Sequence, residues 1–274
     1  MSILRRRKER LVDLTVYRVP SWAGEPGLRH GFVGRNGGNS DGAYASLNVS
    51  FNVGDDPRAV KDNYCAMKGA VGMAGTRMVT MRQRHGDTIL DVAEPCKEAG
   101  EGDAMVTDAP GVFLGVLTAD CVPIVCWART SDRRVAAVIH AGWRGTLAGV
   151  ALKTVRHIES RYGTAPRDLA CALGPAIGPC CYEIGADVAD PLVRQWGERA
   201  EAALQSRGGG TYLDLRRLNA ALLAAAGVPE DQIHLSGPCT ACTPAEFFSY
   251  RRESRNGAGV TGRQAGFIGW SDTG

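Results

Sequence analysis

No uninterrupted apolar run in this 274-residue chain approaches the roughly 18 residues of a membrane-spanning helix. The opening residues, MSILRRRKER, lack the apolar stretch of a secretory signal. A cytoplasmic chain with no membrane partner is therefore expected. Charge of one sign is also scarce: 32 Lys and Arg against 29 Asp and Glu leave a net +3, with most of the excess in RRRKER, residues 5–10. That balance excludes a broad nucleic-acid-binding surface and reads as a solvated N-terminal arm. Repeats, low-complexity blocks and Pro/Ser-rich linkers are missing, so one domain is expected. Nine cysteines, odd in number and irregularly spaced, exclude the disulfide framework of a small secreted domain, and reduced thiols are expected.

What is present suits a large, loop-rich globular core: 44% hydrophobic residues and 35 glycines. Asp56 before Pro57 opens a helix, and Asp214 can cap a second one over LDLRRLNAALLAAAGVP. A third is expected from Trp143 to Tyr162, where Leu147, Val150, Ala151, Thr154 and Ile158 repeat at helical spacing. A fourth, ADVADPLVRQWGERAEAALQ, is expected to break near Pro191. RRVAAVIHAG is a continuous apolar run of the kind buried on both faces of a sheet. Adjacent strands among helices predict an α+β fold, an α/β/α-like sandwich with one mixed β-sheet and flanking helices.

With five histidines, each can be weighed. His30, His157 and His234 fall within regular patterns and read as structural imidazoles. His85 and His140 each end a β-rich run and are followed closely by Gly, and Cys121 ends GVLTADC ahead of Val122 and Pro123. Two imidazoles and a thiolate at strand ends suit a zinc ion with one position open. A metal-free Cys121/His140 nucleophile and base pair fits the same residues equally well. Gly142 and Gly145 around Trp143 and Arg144 read either as an anion site at a helix start or as a tight turn with Arg144 facing solvent. Cys239-x-x-Cys242 with Cys180-Cys181 is a poor signal for structural zinc. Buried thiols, with some redox potential, are the favoured reading.

Six blocks occur in order: RNGGNSDGAYASLNVSFNVGDDPRAVKDN (35–63), QRHGD (83–87), TADCVPI (118–124), HAGWRGTLAGV (140–150), GPAIGPCCYEIG (174–185), and FFSYRRES with TGRQAGF. Together they resemble the YfiH/YlmD family, also called the laccase-domain or multicopper polyphenol oxidase family, over residues 28 to 268. The resemblance implies an arm and lead-in over 1–27 and one catalytic domain over 28–274. It also implies a zinc-dependent purine nucleoside phosphorylase acting on adenosine, inosine, guanosine and methylthioadenosine, with adenosine deaminase activity. Its partners would be purine nucleosides and phosphate, with no nucleic acid and either a monomer or a homodimer. Zinc would be held by His85, Cys121 and His140. Arg35, Asn48 and Asp120 match family positions near the site. Asp120 is then expected to shuttle protons during attack at purine C6, and Arg35, with Arg144 second, to hold phosphate for attack at ribose C1′. Arg84 departs from the small apolar residue usual before the histidine, which leaves local charge and substrate preference open. Copper is the alternative metal in the family's older name, but a trinuclear cluster needs more imidazoles than remain. The metal-free reading becomes a cysteine hydrolase or amidase acting on cell-wall precursors.

Overall fold

The computed structural model describes residues 14–131, 133–257 and 259–271, and the basic stretch 5–10 lies outside them. Two six-stranded sheets form the centre. The first runs, edge to edge, Val16–Tyr17, Leu28–Val33, Gln264–Trp270, Phe113–Thr118, Met78–Arg82 and Glu98–Glu101. The second runs Ile233–Leu235, Ala170–Leu173, Val122–Arg129, Arg134–Ala141, Ala104–Thr107 and Ile89–Asp91. A small third sheet joins Glu183–Ile184, Gly210–Leu213 and Leu204–Arg207.

Alternation along the strands builds the layers. In Val122–Arg129, residues Val122, Ile124, Cys126 and Ala128 enter one core, which also holds Val155, Ile158, Leu218 and Leu222 from two helices. Val125 enters a second core shared with Phe32, Leu114, Val116 and Ile268 of the other sheet. Arg134–Ala141 divides the same way, Ala137 and Ile139 toward the helices and Ala136 and Val138 toward the facing sheet. A pleated strand with both faces buried has no polar face, which explains the uninterrupted apolar run. Behind the first sheet, Val33, Phe113 and Phe267 meet Met67 of helix Pro57–Ala70 and the loop residues Leu47 and Val49. The class is α+β and the domain is single, as expected. The strands, however, divide into two stacked sheets where one sheet was expected, because an apolar face does not encode whether a helix or a second sheet covers it.

The helices follow their end signals in part. Asp56 accepts from the backbone N–H of Arg58 at 2.9 Å and Asp214 from that of Arg217 at 3.0 Å. The run expected from Trp143 to Tyr162 is split into Trp143–Ala148 and Val150–Tyr162 by Gly149, at φ 81°. Conversely, Ala186–Trp196 passes through Pro191 and ends at Gly197 (φ 52°). Pro191 lies in the interior of that helix and forgoes one backbone bond, while buried Val188, Ala189 and Leu192 keep the helix on the core. Val16–Tyr17 and buried Val19 and Trp22 show that core packing begins ahead of residue 28. Among the described residues, no helix is long and apolar enough to cross a membrane.

Candidate metal centre

Strand register brings the chemistry to one end of the two sheets. Val122 pairs with Ala141 and Pro123 with His140, so Cys121, one residue before its strand, stands beside His140. His85 arrives from the other sheet, three residues beyond Met78–Arg82. One ligand atom each from His85, Cys121 and His140 lies within 4.8 Å of the other two. The two imidazoles meet edge to face, centroids 4.8 Å apart. Gly142 is needed for closeness rather than for an unusual turn: a Cβ there would lie 3.1 Å from Cys121 Sγ and 3.2 Å from His85 Cδ2. Gly145 has the same role against the Gly86 carbonyl, 2.8 Å from where its Cβ would be.

Asp103 holds this arrangement together, and the sequence reading missed it. Ala104 pairs with Ile139, which places Asp103 opposite His140. One carboxylate oxygen lies 2.8 Å from His140 Nδ1 and accepts from the His85 backbone N–H at 2.9 Å. The other accepts from the backbone N–H groups of Arg84 and Gly86 at 3.1 and 2.7 Å. Asp103 thus orients the His140 ring, leaving Nε2 for the site, and fixes the turn that carries His85 at φ 60°. Arg84 contributes its backbone here and sends its guanidinium outward to Glu101, so the departure at this position leaves the ligand geometry intact.

The electrostatics are those of an ion pair. Burial alone would raise the Cys121 thiol, but attraction to His140 and hydrogen bonds to both histidines bring it down to about 6. Burial likewise opposes the charged form of His140, and Cys121 together with Asp103 lifts it to about 9. Desolvation pushes the Asp103 carboxyl up, and its bonds to His140 and the backbone hold it below the usual range.

The three residues form part of the wall of a cavity of about 790 Å³. Arg144, Arg251 and Arg263 line it with Trp143, Tyr182 and Tyr250. Asp120 also reaches the cavity, at φ 100°, but its carboxylate is engaged. Oδ1 accepts from Thr240 Oγ1 at 2.6 Å, and Oδ2 from Ser249 Oγ and the Arg251 N–H at 3.0 and 2.7 Å. A backbone so far from the common wells costs about 1–3 kcal/mol, and these bonds hold it there. Arg35 and Asn48 are not part of the cavity wall. Arg35 Nε donates to the Ala45 carbonyl at 2.7 Å and its guanidinium covers the Phe248 ring. Asn48, fully buried, binds Asp55 and the backbone of Ser50 and Arg263. Asn48 therefore frames the loop that carries Arg263, which does line the cavity while its Nη1 donates to the Thr261 and Gly262 carbonyls at 2.8 and 3.0 Å. Arg144 lines the cavity with its guanidinium stacked on Trp143 at 4.5 Å, but the helix it opens has only six residues, too short to present a strong dipole.

The remaining histidines are structural. His30 Nε2 accepts from the Val19 N–H at 3.1 Å, His157 binds Asp91 at 2.7 Å, and His234 packs edge-on against Trp22.

A model of the multi-copper polyphenol oxidoreductase laccase family matches residues 29–271. The purine nucleoside phosphorylase YlmD of Geobacillus stearothermophilus is 38% identical over 251 residues, covering 87% of this chain and 89% of that protein. Adenosine deaminase RL5, from an unknown prokaryotic organism, is 36% identical over 228 residues, 78% of this chain and 86% of its own length. The crystal structure of YlmD from Geobacillus stearothermophilus superposes with a TM-score of 0.88 at 35% identity, covering 97% of this chain and 99% of that one. The chain belongs to the multi-copper polyphenol oxidoreductase laccase family, among the YfiH and YlmD proteins.

Proposed function

We propose that this protein is a zinc-dependent purine nucleoside phosphorylase of the cytoplasm, acting on adenosine, inosine, guanosine and methylthioadenosine, that also deaminates adenosine. The observation that carries the reading is the His85, Cys121 and His140 donor set opening onto a cavity lined by cations and aromatic rings. Its volume of about 790 Å³ lies in the range of small-molecule sites. Two relatives' names, a purine nucleoside phosphorylase and an adenosine deaminase, support it.

The donors fit zinc. Two nitrogens and a sulfur leave a position open, and Asp103 behind His140 is the carboxylate partner expected of a ligating imidazole. Copper in a multinuclear cluster needs further histidines, and among the described residues no other histidine joins a group able to hold a metal. When bound, zinc supplies a fixed positive charge and Lewis acidity at this wall, offsetting negative charge on a departing base. Arg263 holds phosphate against the ribose. Burial lowers its guanidinium and the charges of Cys121 and Asp120 draw it back up, so it meets an incoming anion largely desolvated. Tyr182, Tyr250 and Trp143 supply aromatic surface to the same cavity for the purine, the first and last with Arg251 and Arg144 over their rings. Asp120, with both oxygens occupied, positions Arg251 and the Ser249 turn rather than shuttling protons.

The test is hypoxanthine release from inosine. Release should require phosphate, stop on chelation and return with zinc. Arg263→Gln is expected to raise KM for phosphate about 10- to 100-fold, the loss of one or two charge-assisted hydrogen bonds. Arg35→Gln should leave that KM unchanged and lower Tm.

A second reading has its own support. Asp103, His140 and Cys121 line up as a carboxylate, base and nucleophile, the arrangement of a cysteine hydrolase. It gives no role to the imidazole of His85. No release from inosine even with zinc restored, together with turnover of an amide substrate, decides for it.

The proton balance yields a pH dependence. Between about 6 and about 9 the metal-free site holds Cys121 as thiolate and the proton on His140. Zinc needs both ligands unprotonated, so binding in that window releases one proton, and affinity should rise about tenfold per pH unit. The slope should flatten above 9 and steepen below 6. A chelator-competition titration across pH 6–9 reads it, and a flat profile would contradict the ion pair.

A further inference from the structure

Away from the cavity, two loops bring four sulfurs together. Cys242 Sγ lies 3.3 Å from Cys180 Sγ and 3.2 Å from Cys181 Sγ, and all four sulfurs, Cys239 included, lie within 4.8 Å of one another. All four cysteines are free. The expectation of buried thiols holds for Cys239, while Cys181 is half-buried and Cys180 and Cys242 are exposed.

Thiols are weak donors and weak acceptors, and hydrophobic packing does not gather four of them at a surface. A tetrahedral ion with Zn–S bonds of about 2.3 Å places its sulfurs about 3.8 Å apart, a separation within the spread seen here. Cys242 stands equally near two partners, whereas a disulfide would single out one. The backbone around Cys239 is arranged to stabilise its thiolate. The Gly178 N–H points at Cys239 Sγ from 3.2 Å, and the N–H groups of Ala241 and Cys242 turn toward the same sulfur, as in a Cys-x-x-Cys knuckle. Cys180 and Cys181 sit in a tight turn closed by the Cys181 N–H on the Gly178 carbonyl at 3.0 Å.

We propose that Cys180, Cys181, Cys239 and Cys242 bind a second zinc ion, in a closed four-thiolate site that staples the two loops together. Four protein ligands leave no open position, so the site is structural. What it secures is adjacent: Thr240 follows Cys239 and binds Asp120, and Tyr182 follows Cys181 and lines the cavity.

Elemental analysis of the full-length protein, reduced and supplied with zinc, tests this directly. The expected result is two zinc ions per chain, one remaining in Cys121→Ala and one in the Cys180→Ser/Cys242→Ser double variant. Because that double variant risks misfolding, Cys121→Ala loaded with cobalt provides a second reading. Its remaining ion should show intense thiolate-to-cobalt charge-transfer absorption. One zinc per chain in the reduced wild type, a Cys242 disulfide in protein isolated without reductant, or iron as the ion retained by Cys121→Ala would each overturn the proposal.

Discussion

Cys121→Ala is expected to lose the zinc held with His85 and His140 and to lower kcat/KM for inosine phosphorolysis by at least about 10³-fold, with adenosine deamination falling alongside. The sulfur is the anionic member of the donor set: without it two neutral imidazoles face the ion, and the attraction that lifts His140 to about 9 loses its main source. The fold should survive. Cys121 is only partly buried, its neighbours Val122 and Asp120 keep their own contacts, and an alanine fits the space beside Gly142. Metal content, circular dichroism and steady-state kinetics on one preparation separate the possibilities. A well-folded, metal-depleted variant that retained phosphorolysis would remove the metal from the reaction altogether.

Asp103→Asn should be costly in a different way. The side chain is about 1% exposed, and its two oxygens accept from three backbone N–H groups and face His140 Nδ1. An amide of the same shape turns an NH₂ toward one of those donors and removes the charge opposite His140. Breaking a buried charged pair in this manner costs about 3–5 kcal/mol. Zinc affinity should fall about 10- to 100-fold as the His140 ring loses the acceptor that sets its tautomer. Denaturant unfolding and a chelator competition measure the two effects separately. Unchanged affinity would mean that Asp103 supports the fold without tuning the site.

His85, Cys121 and His140 were legible because each ends an apolar run just before a residue that breaks it. Asp103 was not, although GDAMVT places it ahead of a strand. Its value depends on the antiparallel pairing of Ala104–Thr107 with Arg134–Ala141, and local periodicity carries no register between segments that far apart. Arg35 and Arg263 show the same limit. Both are arginines in glycine-containing loops, and only the path of the chain decides that one covers Phe248 while the other reaches the cavity. The four cysteines could be grouped from the sequence but gave only a poor signal, since their halves are some sixty residues apart and meet through the parallel bridge of Ala176 with Cys239. Helix boundaries were read well where a side chain caps them, as at Asp56 and Asp214. They were read badly where one glycine decided the matter, as at Gly149 and Gly197.

The strand Gln264–Trp270 lies inside the first sheet, paired on one side with Leu28–Val33 and on the other with Phe113–Thr118. During translation these neighbours emerge from the ribosome long before the strand that joins them, and their facing edges stay open until residues near 270 have been made. Arg263 enters immediately ahead of that strand, so this part of the cavity wall forms after the other lining residues have been made. A nascent chain that has not yet reached this strand therefore exposes two unpaired β-edges, the kind of surface prone to pairing with other chains.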